Sequence, residues 1–243
     1  MDYQDVLAEV GAGSAHPGGP AITDLWAKSV DFATVQSVLE VGCGTGRSLV
    51  HVCARGGCMG TGIDIRKRMI QKAKSRVKGL GINNLRFVVA DAGNIPFEDE
   101  TFDLVFTESV NVFLPEPAAA LREYWRVLKP GGHYIDVEML VMQPVDDTWR
   151  RGVEEVYGAK FVPDQRGWKR HYQTAGFTRV DVLTTRSVDP YDLGPYDGAY
   201  ENMDLASPGV YQQPEVLQIL QANSAWMERY SRPLGFGVFK CRK

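Results

Sequence analysis

Short apolar runs rich in β-branched residues alternate with amphipathic stretches as far as residue 139 of the chain. The runs that we expect to form strands are Ser37–Val41, Met59–Ile65, Leu85–Ala90, Phe102–Phe106 and Tyr134–Met139. The helix-like stretches between them are Arg47–Ala54, Lys67–Gly79 and Ala118–Leu128. Alternation at this spacing requires crossover connections, so the pattern predicts a mostly parallel sheet in an α/β fold.

The third helix-like stretch has a clear stop signal. It carries Leu121, Trp125 and Leu128, which we predict to be core residues. Residues 129–132 (KPGG) follow, and proline and glycine disfavour a continuing helix. We therefore expect this segment to end the helix and to precede the fifth strand.

Both ends of the chain depart from the alternating pattern. A Gly- and Pro-rich bend covers residues 11–20 and precedes an apparent helix around Ile22–Val30. The later elements that we expect are helices near Asp146–Tyr157 and Pro163–Ala175, a strand at Phe177–Leu183, a helix through Tyr230 and a strand at Gly235–Cys241. The stretch Val188–Pro214 is dense in Pro, Gly and Tyr and too long for an ordinary loop, which is typical of a lid or binding element.

We interpret the chain as a single domain over residues 1–243. Residues 1–36 would form an N-terminal lid with a helix, and residues 37–186 the core. Residues 187–234 would be an insertion or lid, and residues 235–243 the last strand. The tyrosines of the insertion would then either cover an organic ligand or form a small core of their own: Tyr191, Tyr196, Tyr200 and Tyr211.

The composition is that of an ordinary globular protein, with 44% hydrophobic and 23% charged residues among 243. The 27 basic and 30 acidic residues give a formal net charge of −3, which offers no broad positive field for a nucleic acid. The first residues lack the features of a signal peptide, and no run approaches the ~20 apolar residues of a membrane span. We therefore expect a cytoplasmic protein, monomeric or homodimeric, with neither a nucleic-acid nor a membrane partner.

The most informative segment is VLEVGCGTG at residues 38–46, where a buried strand leads into a glycine turn and then a helix. Glycine lets backbone N–H groups approach a ligand closely. The spacing is Gly-x-Gly-x-Gly, whereas the dinucleotide fingerprint is Gly-x-Gly-x-x-Gly, and the third residue after Gly44 is Arg47. Glu40 would repel a pyrophosphate and attract an ammonium group. The loop therefore favours a cationic nucleoside over a nicotinamide dinucleotide.

Two further carboxylates stand where predicted strands end. Asp64 closes the second strand, where a carboxylate can accept hydrogen bonds from ribose hydroxyls, and Asp91 closes the third, where it can accept from an adenine amine. Parallel strands present their carboxyl ends at one edge of the sheet, which is where open α/β folds bind ligands. We expect both carboxylates to lie near the glycine turn.

Together these residues resemble the class I S-adenosylmethionine-dependent methyltransferases of the small-molecule "methyltransferase domain 11" type. The matching stretches are VLEVGCGTG (38–46), GIDI (62–65), ADAGNIPFEDETFDLVF (90–106) and REYWRVLKPGG (122–132). The resemblance implies a Rossmann-like, doubly wound sheet of seven strands, mostly parallel with an antiparallel last strand, and helices on both faces. It also implies S-adenosyl-L-methionine as cofactor and S-adenosyl-L-homocysteine as product.

The resemblance further implies roles for individual residues. Gly42, Gly44 and Gly46 would pack against the methionine part of the cofactor, in the loop that also holds Cys43 and follows Glu40. Asp64 would hold the ribose and Ile65 would lie on the adenine face. Asp91 and Ala92 would contact the adenine edge, and Glu108, just past the fourth strand, would face the ligand.

Methyl transfer from a sulfonium is an in-line displacement, so the protein mainly aligns the reacting atoms, and a base helps only some acceptors. The catalytic candidates are His16, in a bend that in this family often folds over the cofactor, and Glu108. Glu108 replaces the small or polar residue usual at its position, which leaves its role open. We also expect Asp136 or Glu138, which alternate along the fifth strand, to reach the pocket.

We predict no metal site. Cys53 and Cys58, with His51 nearby, lack a fourth ligand, because Cys43 belongs to the glycine turn. We expect His51 and His133 to be structural residues.

The acceptor is the least determined part of the prediction. The family's Asn/Asp-Pro-Pro-aromatic signature for flat amino groups is absent, and residues 109–113 (SVNVF) take its place. This argues against methylation of amino bases and favours a small-molecule acceptor, whose reacting atom is O, N, S or C. The alternatives are methylation of RNA or protein, a non-catalytic S-adenosylmethionine-binding partner protein, and a nicotinamide oxidoreductase.

Overall fold

A computed structural model describes residues 1–13, 15–188 and 205–243. The strands are β1 (Ser37–Val41), β2 (Met59–Asp64), β3 (Leu85–Val89), β4 (Phe102–Glu108), β5 (Leu128–Val141), β6 (Arg179–Ser187) and β7 (Leu234–Arg242). The α-helices are α1 (Tyr3–Val10), α2 (Gly19–Ala27), α3 (Arg47–Gly56), α4 (Lys67–Leu80), α5 (Pro117–Val127), α6 (Asp147–Tyr157), α7 (Gln165–Thr174) and α8 (Pro214–Tyr230). Short 3₁₀ turns span Phe32–Thr34, Asn111–Phe113 and Val210–Gln212.

The strands form one seven-stranded sheet in the order β3-β2-β1-β4-β5-β7-β6. The pairs β2–β3, β1–β2, β1–β4 and β4–β5 are parallel, and β7 runs antiparallel to both β5 and β6. This confirms the predicted Rossmann-like sheet with an antiparallel last strand. The strand order reverses between β1 and β4, which is where doubly wound sheets bind ligands.

Alternate residues of each strand bury on opposite faces of the sheet, as the period of two requires. Val38 and Leu104 pack in the same cluster as the helices α2, α3 and α4. Leu39 and Val105 pack in the cluster that includes α5 and α7. The sheet is therefore covered by helices on both faces, and successive residues of a strand pack against opposite helix layers.

The start of β5 differs from the expectation. The strand begins at Leu128, because Leu128 pairs with Phe102 before the register shifts and pairing resumes at His133. The intervening KPGG segment, with Gly131 at φ +78°, forms a bulge in the strand and does not delay it.

Trp125 was expected in the core, and this prediction is wrong. Leu121 and Leu128 are fully buried, but Trp125 is 36% exposed. Its indole N–H donates to the Gly176 carbonyl at 3.1 Å, and Lys243 Nζ lies 4.0 Å from the ring centroid. The indole therefore packs at the protein surface against Gly176 and Lys243 and does not fill the core.

Two helices, and not one, occupy the N-terminal region. The unpredicted helix α1 begins with a capping box in which Asp2 and Asp5 bond each other's backbone N–H, and it ends at Gly11 in the left-handed region. Its acidic residues pair with the start of α4: Arg66 Nη2 lies 3.1 Å from Asp2, and Arg68 pairs with Glu9. These pairs hold α1 beside the carboxyl edge of the sheet.

The late aromatic residues fall into three groups. Tyr191, Tyr196 and Tyr200 lie outside the described residues. Tyr211 is 54% exposed, and Trp226 is buried against Trp149 and Tyr157. The described part of this region thus contributes Trp226 to the main core.

Candidate active site

A cleft lies at the carboxyl edge of β1 and β4, over the glycine turn. Gly42 has φ +68°, and a Cβ placed there would lie 2.4 Å from Val110 Cγ2. Gly46 has φ +75°, and its Cβ would lie 2.7 Å from the Phe87 ring. A Cβ placed at Gly44 would have Met69 Sδ as its nearest neighbour, 4.0 Å away. Gly42 and Gly46 therefore allow close packing, and Gly44 presents its backbone to open space.

Cys43, between the first two glycines, is buried and lines the cleft. Its backbone N–H donates to the Ile63 carbonyl at 2.9 Å, which ties the turn to β2. Burial raises the pKa of its thiol well above the usual range, so the group is neutral at physiological pH.

Glu40 is buried at the base of the cleft. It has the parity of Val38, so it points toward α3, where its Oε2 accepts the Leu49 N–H at 3.1 Å. Burial and the nearby charge of Glu108 raise its pKa well above the usual range, and the Leu49 bond opposes this. An ionised Glu40 would be stabilised by a cation bound in the cleft.

Asp64, at the end of β2, lines the same cleft. Its Oδ2 accepts the Gly44 N–H at 3.0 Å and its Oδ1 accepts the Arg66 N–H at 2.8 Å. Burial raises the pKa of Asp64, while these two bonds lower it. The two bonds fix the carboxylate beside the glycine turn and leave lone pairs for further donors.

Glu108 ends β4 and faces α2 and α3. Its Oε1 accepts from Thr23 Oγ1 at 2.7 Å and Trp26 Nε1 at 2.8 Å, and its Oε2 accepts from Ser48 Oγ at 2.6 Å. His16 Nε2 lies 3.1 Å from the same Oε2. Burial acts to raise the pKa of Glu108, but the charge of His16 and the hydrogen bonds outweigh it and lower the pKa to about 2. This geometry favours a fixed anion over a proton acceptor at neutral pH.

His16 is buried, and both of its ring nitrogens face acceptors. Nδ1 lies 3.3 Å from the Pro17 carbonyl, and Nε2 faces Glu108. The contact therefore ties the N-terminal bend to the end of β4.

The N-terminal segment forms a roof over the cleft. Gln4, Leu7 and Gly13 line its upper side together with His16. Thr45 Oγ1, in the glycine turn, donates to the Ala12 carbonyl at 3.1 Å. The described residues of the segment thus lie against the glycine turn and close one side of the cleft.

Four of the predicted cofactor residues lie outside the lining of this cleft: Gly46, Ile65, Asp91 and Ala92. Ile65 is 61% exposed just after β2, and Asp91 is exposed just after β3, where its Oδ1 accepts the Gly93 N–H at 2.7 Å. Ala92 is buried. The Ala90 N–H donates to the Asp64 carbonyl at 3.1 Å, so the ends of β2 and β3 stay together at the same edge.

The expectation that Asp136 or Glu138 reaches the pocket is wrong. Asp136 pairs with Thr107 across β4 and β5, and this register directs both carboxylates to the face opposite Glu108. Asp136 is fully buried and accepts from Thr107, Asn111 and Tyr172 at 2.7–2.9 Å. Burial raises its pKa to about 6, against the effect of these hydrogen bonds.

Several residues of the cleft were not anticipated from the sequence. They are Thr23, Trp26 and Ser48, which hold Glu108, and Arg47, Met69 and Ser109, which line the cleft. Ser48 and Arg47 directly follow the glycine turn, so their position at the start of α3 was an available signal. The positions of Thr23 and Trp26 depend on how α2 packs, and no sequence pattern indicated that packing.

His51, Cys53 and Cys58, which lie outside the cleft, have local partners. His51 Nε2 lies 2.6 Å from Asp24 Oδ1, and Cys53 Sγ lies 3.1 Å from Cys58 Sγ. Within residues 1–13, 15–188 and 205–243, no three His, Cys, Asp or Glu side chains are grouped to hold a metal ion. None of the helices in these ranges has the length and apolar character needed to cross a bilayer.

Comparison with known proteins identifies similar chains. A family profile described as a methyltransferase domain matches residues 39–136. Demethylmenaquinone methyltransferase of Staphylococcus haemolyticus is 30% identical over 191 residues, which cover 69% of this chain and 79% of that protein. The uncharacterised methyltransferase YodH of Bacillus subtilis is 27% identical over 242 residues, 98% of this chain and 97% of that one.

Among solved structures, phosphoethanolamine N-methyltransferase 2 of Haemonchus contortus, in complex with S-adenosyl-L-methionine, has the same fold. The TM-score is 0.75 at 17% identity, over 99% of this chain and 57% of that one. The fold, the glycine turn with its carboxylates and these similarities agree. The chain belongs to the class I S-adenosylmethionine-dependent methyltransferases, and its cofactor is S-adenosyl-L-methionine.

Proposed function

We propose that this methyltransferase acts on a small organic molecule. The observation that carries the proposal is the construction of the cleft, in which Glu40, Asp64 and Glu108 surround the glycine turn beneath a roof formed by the N-terminal segment. The carboxylates of Glu40 and Asp64 favour a ligand that bears positive charge. A roof over the cofactor leaves room for a compact acceptor more readily than for a folded polymer.

In this proposal the cofactor binds along the sheet edge. Its amino-acid end lies near Glu40, Gly42 and Cys43, and its ribose lies on Asp64, whose free lone pairs accept the hydroxyls. Its adenine lies toward Ile65 and the Asp91–Ala92 pair. The exposure of Ile65 supports this arrangement, because an apolar side chain at the open edge of the cleft can be covered by a flat base.

The proposed reaction is a single displacement. A lone pair of the acceptor atom forms the new bond to the methyl carbon, while the carbon–sulfur bond breaks and its electron pair neutralises the sulfonium. The protein aligns the three atoms. Because His16 and Glu108 are already engaged with each other, we assign them the closing of the cleft and not proton removal. An acceptor that arrives as a thiolate or carbanion would need little help from a base.

The relatives support the acceptor class by analogy. The Staphylococcus haemolyticus relative is named for a small organic acceptor, demethylmenaquinone. The net charge of −3 also disfavours a nucleic acid as the partner. Methylation of RNA or protein and a non-catalytic binding role remain the alternatives to be tested.

The test is label transfer from methyl-labelled S-adenosylmethionine. The purified protein is incubated with small-molecule, RNA and protein fractions of a cell extract, each with a matched fraction lacking the enzyme. We expect label in the small-molecule fraction. Label confined to RNA or protein would overturn the acceptor class. Saturable cofactor binding with no label in any fraction would favour the non-catalytic alternative.

A further inference from the structure

The turn that follows β4 has a conformation that its own sequence does not favour. Ser109 has φ +60°, in the left-handed region that serine rarely adopts, and it is one of two such non-glycine residues in the described chain. Strained residues of this kind persist where the surroundings hold them, and they cluster at ligand sites. Ser109 lines the cleft, next to Glu108.

The hydroxyl of Ser109 is buried and, within the part of the chain that the structure describes, has no hydrogen-bond partner. A buried hydroxyl without a partner is costly unless a ligand supplies one. Val110, the next residue, packs against Gly42, at the point where the amino-acid end of the cofactor is proposed to lie. A hydroxyl here can donate to a carboxylate or accept from an ammonium group.

The fully buried Glu138 explains how this conformation is held. Its Oε2 accepts the backbone N–H groups of Val110, Asn111 and Val112 at 3.1, 2.7 and 3.3 Å, and its Oε1 accepts that of Met139 at 2.8 Å. The Ser109 N–H donates to the Val137 carbonyl at 2.7 Å. One carboxylate thus ties three successive amides of the turn to β5.

We infer that Glu138 is a positioning residue, which clamps the turn after β4 so that the Ser109 hydroxyl is presented to the amino-acid end of the cofactor. The inference rests on the proposed placement of the cofactor. Glu138 does not touch the ligand, because it lies on the opposite face of the sheet from Glu108. It acts only through the turn, and this separates it from the residues that line the cleft.

The test is a double-mutant cycle on the affinity for S-adenosylhomocysteine, measured by calorimetry. Ser109→Ala should weaken binding about ten- to hundred-fold, the range for one hydrogen bond to a charged group. Glu138→Gln leaves at least one of its four N–H donors without an acceptor and should weaken binding through the same turn. If Glu138 acts through Ser109, the double variant should bind no more weakly than the weaker single variant.

Three controls separate positioning from general damage. Asp103→Asn alters a carboxylate that accepts the N–H groups of Gln36 and Ser37 at the opposite end of β4, and it should leave affinity unchanged. Binding of 5′-methylthioadenosine, which lacks the amino-acid end, should be unchanged by Ser109→Ala. Ser109→Gly removes the hydroxyl and relieves the positive φ, so it should fold at least as well as the wild type and still bind weakly.

The outcomes are distinguishable. Wild-type affinity in both Ser109→Ala and Ser109→Gly, or additive losses in the cycle, would overturn the inference and leave the proposed function standing. Equal loss of affinity for 5′-methylthioadenosine would overturn it as well. If the wild type does not bind S-adenosylhomocysteine, the proposed function fails and the inference fails with it.

Discussion

Glu40 is the residue whose charge should most clearly lower the stability of the fold while it strengthens cofactor binding. Its carboxylate is buried beside Glu108 and Asp64, and its pKa is raised well above the usual 4.5 by burial and by these charges. Glu40→Gln keeps an oxygen to accept the Leu49 N–H and removes only the charge. The variant should therefore be more stable than the wild type and bind the cofactor less tightly.

The magnitudes follow from the surroundings of Glu40. Replacing a buried ion pair by neutral side chains of similar volume is neutral or stabilises by about 1–4 kcal/mol, and we take the same range for neutralising Glu40. Each kcal/mol raises Tm by roughly 2–4 °C in a chain of this size. On the binding side, one lost charge-assisted interaction is worth about 1.5–3 kcal/mol, or roughly a 10- to 150-fold weaker Kd for S-adenosylhomocysteine.

The stability gained by Glu40→Gln should depend on pH. The pKa of Glu40 is higher in the folded state than its unfolded-state value of 4.5. Ionisation of Glu40 therefore costs the wild type no stability below pH 4.5 and its full cost above the raised pKa. The gain in the unfolding free energy of Glu40→Gln should thus be small at pH 4.5 and grow as pH rises.

Thermal unfolding between pH 4.5 and 8 and calorimetric titration of S-adenosylhomocysteine measure both sides of this prediction. A variant that is less stable than the wild type at pH 8 would refute the account of Glu40 as a penalised charge. A gain of equal size at every pH would refute the role of ionisation. Unchanged affinity would show that Glu40 does not attract the cofactor.

Three further changes test other parts of the site. Asp64→Ala should weaken S-adenosylhomocysteine binding by roughly 1.5–3 kcal/mol, and unchanged calorimetric affinity would mean that the ribose lies elsewhere. The pKa of Glu108 is lowered from 4.5 to about 2, so its charge should stabilise the fold by about 3 kcal/mol above pH 4.5 and lose this contribution between pH 4.5 and 2. Glu108→Gln should flatten that acid limb in thermal unfolding, and an unaltered limb would contradict the assignment. His16→Ala should loosen the roof and speed cofactor dissociation in stopped-flow measurements while methyl transfer persists, and complete loss of transfer with normal binding would restore His16 as the base.

The fold was predictable because its signals are local. β-branched runs, the glycine turn and the spacing of the helices all lie within short windows, and the Asp64 and Glu40 assignments depend only on where a strand ends. Helix α1 was missed because eight residues with a mild apolar face are ambiguous, although the Asp2–Asp5 capping box was a usable cue.

The errors in the site arise from register and from packing between distant segments. Asp136 and Glu138 have a parity opposite to that of Glu108 only because Thr107 pairs with Asp136, and a sequence alone does not contain this register. Likewise, the three hydrogen-bond donors to Glu108 come from α2 and α3, and its contact with His16 comes from the N-terminal bend. The sequence indicated that Glu108 faces a ligand site, but not that its oxygens are already saturated.

The most direct test of the account is a parallel calorimetric titration of the wild-type protein with S-adenosylmethionine and with NADH. The account predicts saturable, one-to-one binding of S-adenosylmethionine, because the carboxylate-lined cleft favours a cation. It predicts no measurable binding of NADH, whose pyrophosphate would meet Glu40. Saturable NADH binding with no response to S-adenosylmethionine would contradict the assignment of S-adenosylmethionine as the cofactor.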